Sequence, residues 1–317
     1  MPAPAGKNNP LQDGRSCGTE DKMKRLIILF AALLLFLSAA SAEEGKNYTL
    51  PLDLTPGMPL LKSNYLNGWH YKDPTIEMAA REETDGEKRW WVAEVEIRDG
   101  SQLRTMPANS FSYASHADGS RISRRANAVL SCDGDFWWRD VKWKGAYVLR
   151  QGVLYLHELT GTRDVLLIDE DGDFHIIHDA TDENVPLPEE PTGPVMYNGK
   201  QIYNGFCFGP TLVENGKALT IEPDEHIVTE RTSTPRLAIC QMGEKKYAIV
   251  ATYRNYGNLQ DFAYLLENLG AKTAYNLDGG DSSMIFTGST MINRNSSIRE
   301  IGDLIYFASA WPEEGAQ

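Results

Sequence analysis

From Trp91 to Arg98 the chain alternates, with Trp91, Ala93, Val95 and Ile97 on one side and Glu94, Glu96 and Arg98 on the other. Successive side chains of an extended chain point to opposite faces, so a period of two predicts a half-buried strand. Comparable short runs predict strands over residues 146–150, 153–156, 165–169, 174–178, 236–242, 247–253, 273–277 and 304–308. The turn formers Asp171-Gly172 and Gly243-Glu244 separate neighbouring runs, as in antiparallel hairpins. One segment has a helical period: Leu259, Phe262, Ala263, Leu266 and Leu269 recur at three- and four-residue steps, after Asn258 as a cap and before Gly270 as a stop. This pattern predicts an α+β protein that is β-rich, with mostly antiparallel strands and hairpins and few helices.

Toward the N-terminus the pattern changes. Residues 26–37 are uninterruptedly apolar, follow Lys22, Lys24 and Arg25, and lead into Ala40-Ser41-Ala42. A basic flank, about a dozen apolar residues and a small-x-small site describe a secretory signal peptide; a spanning helix usually needs roughly 20 apolar residues. We therefore read 23–42 as a signal peptide and 1–22 as an extension from an upstream start codon chosen in error. Residues 43–89, with Pro51, Pro56, Pro59 and Pro74 and an acidic stretch at 82–87, are expected to form an irregular N-terminal arm ahead of a domain at 90–317. The acidic, proline-rich segment 179–194 is expected to be an exposed loop or a hinge between subregions.

Composition narrows the function. The 317 residues are 42% apolar, enough for a sizeable core, and carry a net charge of −13, which becomes −15 once the five basic and three acidic residues of 1–42 are removed. An acidic chain does not hold a polyphosphate by bulk attraction, so nucleic acid is not an expected partner. Beyond the leader three cysteines remain, Cys132, Cys207 and Cys240; an odd number excludes a full disulfide framework and leaves either one bridge or three buried thiols.

The most informative string is Tyr275-Asn276-Leu277-Asp278-Gly279-Gly280-Asp281-Ser282-Ser283-Met284. A strand runs into a glycine turn whose amides and hydroxyls are suited to an anion, while Asp278 or Asp281 could serve as acid, base or metal ligand. The same residues also suit a plain tight turn. A second cluster, Cys132-Asp133-Gly134-Asp135-Phe136-Trp137-Trp138, sets two carboxylates beside large aromatics, as a sugar site would. Arg236 and Arg254 stand at strand ends where guanidinium groups can face a ligand. His175 and His178, three apart on an expected strand, point to opposite faces and form no chelating pair. Asp169, Asp171 and Asp173 imitate the start of a calcium loop but lack its glycine and final glutamate, which leaves a hairpin turn.

Taken in order, these segments resemble the phosphodiester glycosidase family, the N-acetylglucosamine-1-phosphodiester α-N-acetylglucosaminidase-like hydrolases and their secreted bacterial relatives. The likeness rests on Asp133-Gly134-Asp135-Phe136, Gly209-Pro210-Thr211-Leu212, Arg236-Leu237-Ala238-Ile239, Leu269-Gly270-Ala271 and the signature from Asn276 to Ser283. Asp133 stands where the family usually has Asn, Cys240 where it often has Gly, and Thr252-Tyr253-Arg254 where Asp-Gly-Arg is common.

The resemblance implies a secreted hydrolase that cleaves the glycosidic bond of a sugar-1-phosphodiester in an envelope or extracellular glycan, including exopolysaccharide, without stable membrane insertion after the leader is removed. In that reading Asp278 is general base or stabiliser of the sugar cation, with Asp133 or Asp135 as its partner. Arg236 is the phosphate clamp, Arg254 and the turn Gly279, Gly280, Asp281, Ser282 and Ser283 assist, and Asn276, Phe136 and Trp137 complete the substrate site. No cofactor is expected. Two alternatives stay open: a metal-dependent phosphoesterase holding Ca²⁺ or Mg²⁺ on Asp133, Asp135, Asp278 and Asp281, and a non-catalytic glycan-binding protein.

Overall fold

The computed structural model describes residues 48–112, 115–135, 146–224, 227–294 and 298–312. The expected leader, and the aromatic residues Phe136 and Trp137, lie outside them. Three sheets, with every strand pair antiparallel, and two α-helices make up the regular structure among the described residues.

The largest sheet has nine strands in the order Tyr65–Asn67, His70–Asp73, Ile76–Asp85, Lys88–Ile97, Lys246–Thr252, Leu237–Gly243, Thr273–Leu277, Thr211–Glu214 and Lys217–Ala218. A five-stranded sheet runs Thr290–Met291, Ile285–Thr287, Ala128–Asp133, Asp303–Ala308, Leu103–Pro107. In the third, the order is Phe174–Ile177, Val165–Asp169, Lys200–Phe206, Ala146–Arg150 and Val153–Glu158, with Met196–Tyr197 pairing Lys200–Phe206 off that path.

The alternation read in the sequence decides how the layers meet. Trp91, Ala93, Val95 and Ile97 join Leu237, Ile239, Tyr247 and Ile249 on one face of the large sheet, packed against Leu130, Ile285 and Phe307 of the five-stranded sheet and Leu166, Ile168 and Phe206 of the third. The opposite face, with Val92, Ala238, Cys240 and Val250, is covered by helix α2 (Leu259–Asn268) through Leu259, Phe262, Ala263 and Leu266. Asn258 and Asp261 form a reciprocal cap at its start, satisfying amides that the first turn leaves without partners. The helix connects Lys246–Thr252 to Thr273–Leu277 across the intervening strand Leu237–Gly243.

Helix α1 (Gly119–Ala126) was not legible in the pattern, because its eight residues supply only Ile122 and Ala126 as apolar contacts. The expected irregular arm differs more. Ile76–Asp85 pairs with Lys88–Ile97 over ten residues in an unbroken register. Its outer half is a charged ribbon in which Arg89 Nε meets Glu82 Oε1 at 3.0 Å and Arg81 Nε meets Glu83 Oε1 at 2.6 Å, so there is no apolar alternation to read. Segment 179–194 is irregular as expected, and the three cysteines are free and buried.

Candidate active site

Two strand ends from different sheets bring the carboxylates together. Asp133 ends Ala128–Asp133 in the five-stranded sheet, and Asp278 follows Thr273–Leu277 in the large one. Beyond Asp278 the chain turns sharply. Gly280 takes φ of +61°, and a Cβ on Gly279 would lie 2.7 Å from the Pro235 carbonyl, so both glycines are required by geometry. A single 3-10 turn, Gly280–Ser282, then buries Ser282.

Arg299 links these parts. Its Nη2 donates to Asp278 Oδ2 and its Nε to Ser282 Oγ, while the Ser282 hydroxyl in turn bonds the Asp133 carboxyl. Asp133 is fully buried; burial first, then the charges of Asp278 and Asp303, hold its pKa well above the usual carboxylate range, against the opposing bonds from Ser282 and the Gly134 amide. Burial and its neighbours thus favour the neutral form of Asp133 beside an Asp278 carboxylate paired with a guanidinium, two unlike environments of the kind that acid–base chemistry uses.

Asp135, two residues on, has a different neighbourhood. Its Oδ2 lies 3.5 Å from Arg150 Nη2 and accepts the Cys207 amide at 3.0 Å, and its own amide donates to Asp303 Oδ1 at 3.1 Å. Arg150 Nε completes the set at 3.0 Å from Asp303 Oδ2, with its guanidinium 4.1 Å from the Phe206 ring centroid. All three charged side chains are fully buried. Burial raises Asp303 to about 6 despite Arg150. Gly134 fits between Asp133 and Asp135 because a Cβ there would come within 2.4 Å of Asp303 Oδ1. The network fixes the strand end that carries Asp133.

Arg236 is placed differently from its expected task. Nη1 donates to the Ile227 carbonyl at 3.1 Å, and Nη2 to those of Val228, Thr229 and Arg231 at 2.7, 3.3 and 3.0 Å. Burial, with Arg231 nearby, lowers its pKa to about 10. Its carbonyl accepts the Ser283 hydroxyl at 3.1 Å, so Arg236 adjoins the turn through its backbone. Arg254 sits at the rim, with Nη2 3.4 Å from Asp281 Oδ1. Asn276 is buried and donates to the Gly209 carbonyl at 2.8 Å, holding the segment behind the site.

The structure thus brings Asp133, Asp278, Ser282 and the glycine turn together, sets Asp281 and Arg254 beside them, and places Asp135 in the buried network. The four carboxylates of the phosphoesterase alternative therefore face different partners. Among the described residues no group of three or more His, Cys, Asp or Glu is arranged to hold a metal ion. Arg299 was missed by the sequence reading, since Ile298-Arg299-Glu300 carries no motif and lies 21 residues from its partner. It also lines a cavity of about 320 Å³ with Arg294, Ser120, Ser289 and Met284.

The model of the family described as phosphodiester glycosidase matches residues 126–308. The fold is similar to a zebrafish N-acetylglucosamine-1-phosphodiester α-N-acetylglucosaminidase catalytic domain, auto-inhibited by its pro-peptide, at TM-score 0.59 and 12% identity, covering 80% of this chain and 87% of that one. It is also similar to a hypothetical protein from Synechocystis at TM-score 0.51 and 15% identity, covering 73% of this chain and 62% of that one. No curated protein matches the sequence. Among the described residues no helix is long and apolar enough to cross a membrane.

Proposed function

The chain belongs to the phosphodiester glycosidase family, and we propose that it is an exported hydrolase cleaving the bond between an anomeric carbon and a phosphodiester oxygen in an extracytoplasmic glycan. The observation that carries this reading is the Asp133–Ser282–Arg299–Asp278 chain of contacts. In the reaction, water adds to the anomeric carbon as the carbon–oxygen bond breaks. Asp278 takes the proton from water and steadies the positive charge developing on the sugar, and Asp133, held protonated, donates a hydrogen bond to the departing oxygen. The leaving group departs as a phosphate monoester, an anion already stabilised, so holding negative charge matters more than full proton transfer.

Arg299, with Arg294 in the adjoining cavity and Arg254 at the rim, is assigned the phosphodiester. Arg236, engaged with four carbonyls, is assigned to holding the 227–231 loop and Ser283. A sugar-1-phosphodiester should therefore be hydrolysed at least tenfold faster than an aryl glycoside of the same sugar, since a neutral aglycone gives the arginines nothing to bind. Equal rates would remove the anion-binding assignment. Export is tested separately: the secreted protein should begin near Glu43, and a retained leader would contradict it.

A further inference from the structure

We propose that the hairpin carrying Trp69 is a second carbohydrate-binding subsite, which holds a neutral sugar ring of a longer glycan at a distance from the bond that is cut. The inference rests on the hydrolytic reading for the glycan that is cut and extends it, and binding at this hairpin is measured without turnover.

Trp69 lies in the turn between Tyr65–Asn67 and His70–Asp73, outside the residues that the family model matches. Trp69 is 50% exposed, and Leu66 on the same hairpin is exposed as well. Large apolar side chains gain by burial, so a bare indole beside a cavity marks a binding surface. The cavity has a volume of about 650 Å³ and is lined by Asn67, Gly68, Trp69, His70, Ala79 and Ala80, within the roughly 300–1,000 Å³ span of small-ligand sites.

The turn is also held firmly. Asn67 Oδ1 accepts the Trp69 amide at 2.8 Å, Ala80 donates its amide to the Trp69 carbonyl at 2.7 Å, and Thr287 Oγ1 donates to the Gly68 carbonyl at 3.0 Å. The indole stands edge-to-face with Trp91, centroids 5.2 Å apart and planes at 83°. A ring fixed before binding loses little freedom when it binds.

The chemistry selects the ligand. A pyranose offers a face of C–H groups, which suits the electron-rich face of an indole, and a rim of hydroxyls, which suits the Asn67 amide nitrogen and His70. His70 Nε2 already meets Glu77 Oε1 at 3.1 Å and Lys72 Nζ meets Glu77 Oε2 at 2.7 Å, so the charged groups beside the indole are paired with one another, and a chain of net charge −13 disfavours an anionic sugar. Two contact paths lead from here to the catalytic turn. Trp91 Nε1 donates to the Tyr253 hydroxyl at 2.9 Å, and the next residue, Arg254, meets Asp281. Thr287, which holds Gly68, ends the strand that follows that turn.

The test is calorimetric binding of four neutral tetrasaccharides, chitotetraose, cellotetraose, maltotetraose and mannotetraose, to the wild-type protein, Trp69→Ala and Trp69→Phe. At least one should bind, Trp69→Ala should weaken it at least tenfold, and Trp69→Phe, which keeps a smaller ring, should fall between. Hydrolysis of a small sugar-1-phosphodiester should be equal in all three proteins; if none hydrolyses it, the binding comparison is unaffected and only the hydrolytic reading fails. Absence of binding by all four sugars, or equal binding by the variants, overturns the proposal. Wild-type dimerisation that Trp69→Ala abolishes would also overturn it, identifying a self-association surface. If Trp69→Ala does not fold, wild type against Trp69→Phe decides, with equal affinity counting against the subsite.

Discussion

Asp133 and Asp278 differ in environment more than in chemistry, and the difference gives each its own kinetic signature. Asp278→Asn keeps the size of the side chain but removes the charge that takes a proton, so kcat should fall by on the order of 10² or more with KM little changed. Near-parental turnover in a folded variant would contradict the assignment. The pKa of Asp133 is raised by burial and by the neighbouring charges of Asp278 and Asp303, and the proposed mechanism uses its protonated form. Activity should therefore persist below its raised pKa and decline as pH rises through it. Asp133→Asn, which cannot titrate but still donates a hydrogen bond, should retain activity and abolish that alkaline decline in a pH–rate profile. Asp133, Asp278 and Ser282 were legible because short motifs hold each of them in place. Arg299 was not, since it lies 21 residues from Asp278 in a segment that carries no motif. The role first read for Arg236 could not be judged either, because the carbonyls that engage its guanidinium belong to a loop whose path the sequence does not specify.

Helix α2 was legible at the scale of elements because one stripe of its surface is apolar and Asn258 marks its start. It covers the outer face of the sheet whose strand Thr273–Leu277 delivers Asp278. Leu266 is fully buried, and Leu266→Ala should cost roughly 2–5 kcal/mol, whereas Asn258→Ala should cost about 1 kcal/mol through the cap alone. Urea unfolding of both variants checks the ratio; equal losses would contradict the packing described. Strands with one charged face were equally visible. The ribbon formed by Ile76–Asp85 was not, since its outer residues are paired charge to charge, and α1 was too short to show a period.

At the scale of the molecule, the site depends on charged contacts that join sheets. Arg150 of one sheet meets Asp303 of another beneath Asp133. Arg150→Met would leave Asp303 and Asp135 buried without their cation, and should cost roughly 3–5 kcal/mol in denaturant unfolding. His178 makes a second connection, between Asp164 at 3.1 Å and Glu214 at 3.4 Å. Burial opposes its charge, but the two carboxylates outweigh burial and raise its pKa. Its contribution to stability is therefore complete below the ordinary histidine value near 6.5 and is lost as pH rises through the raised one. The melting-temperature gap between wild type and His178→Ala should be wider at acid than at alkaline pH. These links between sheets escaped the sequence because each joins residues far apart in the chain.

A glycosidase and a phosphoesterase differ in which bond breaks, and hydrolysis of a GlcNAc-1-phosphodiester in ¹⁸O-labelled water distinguishes them directly. Water adding to the anomeric carbon should leave the label in the released sugar and none in the phosphate monoester. Label in the phosphate would mean attack at phosphorus and would contradict the glycosidase assignment.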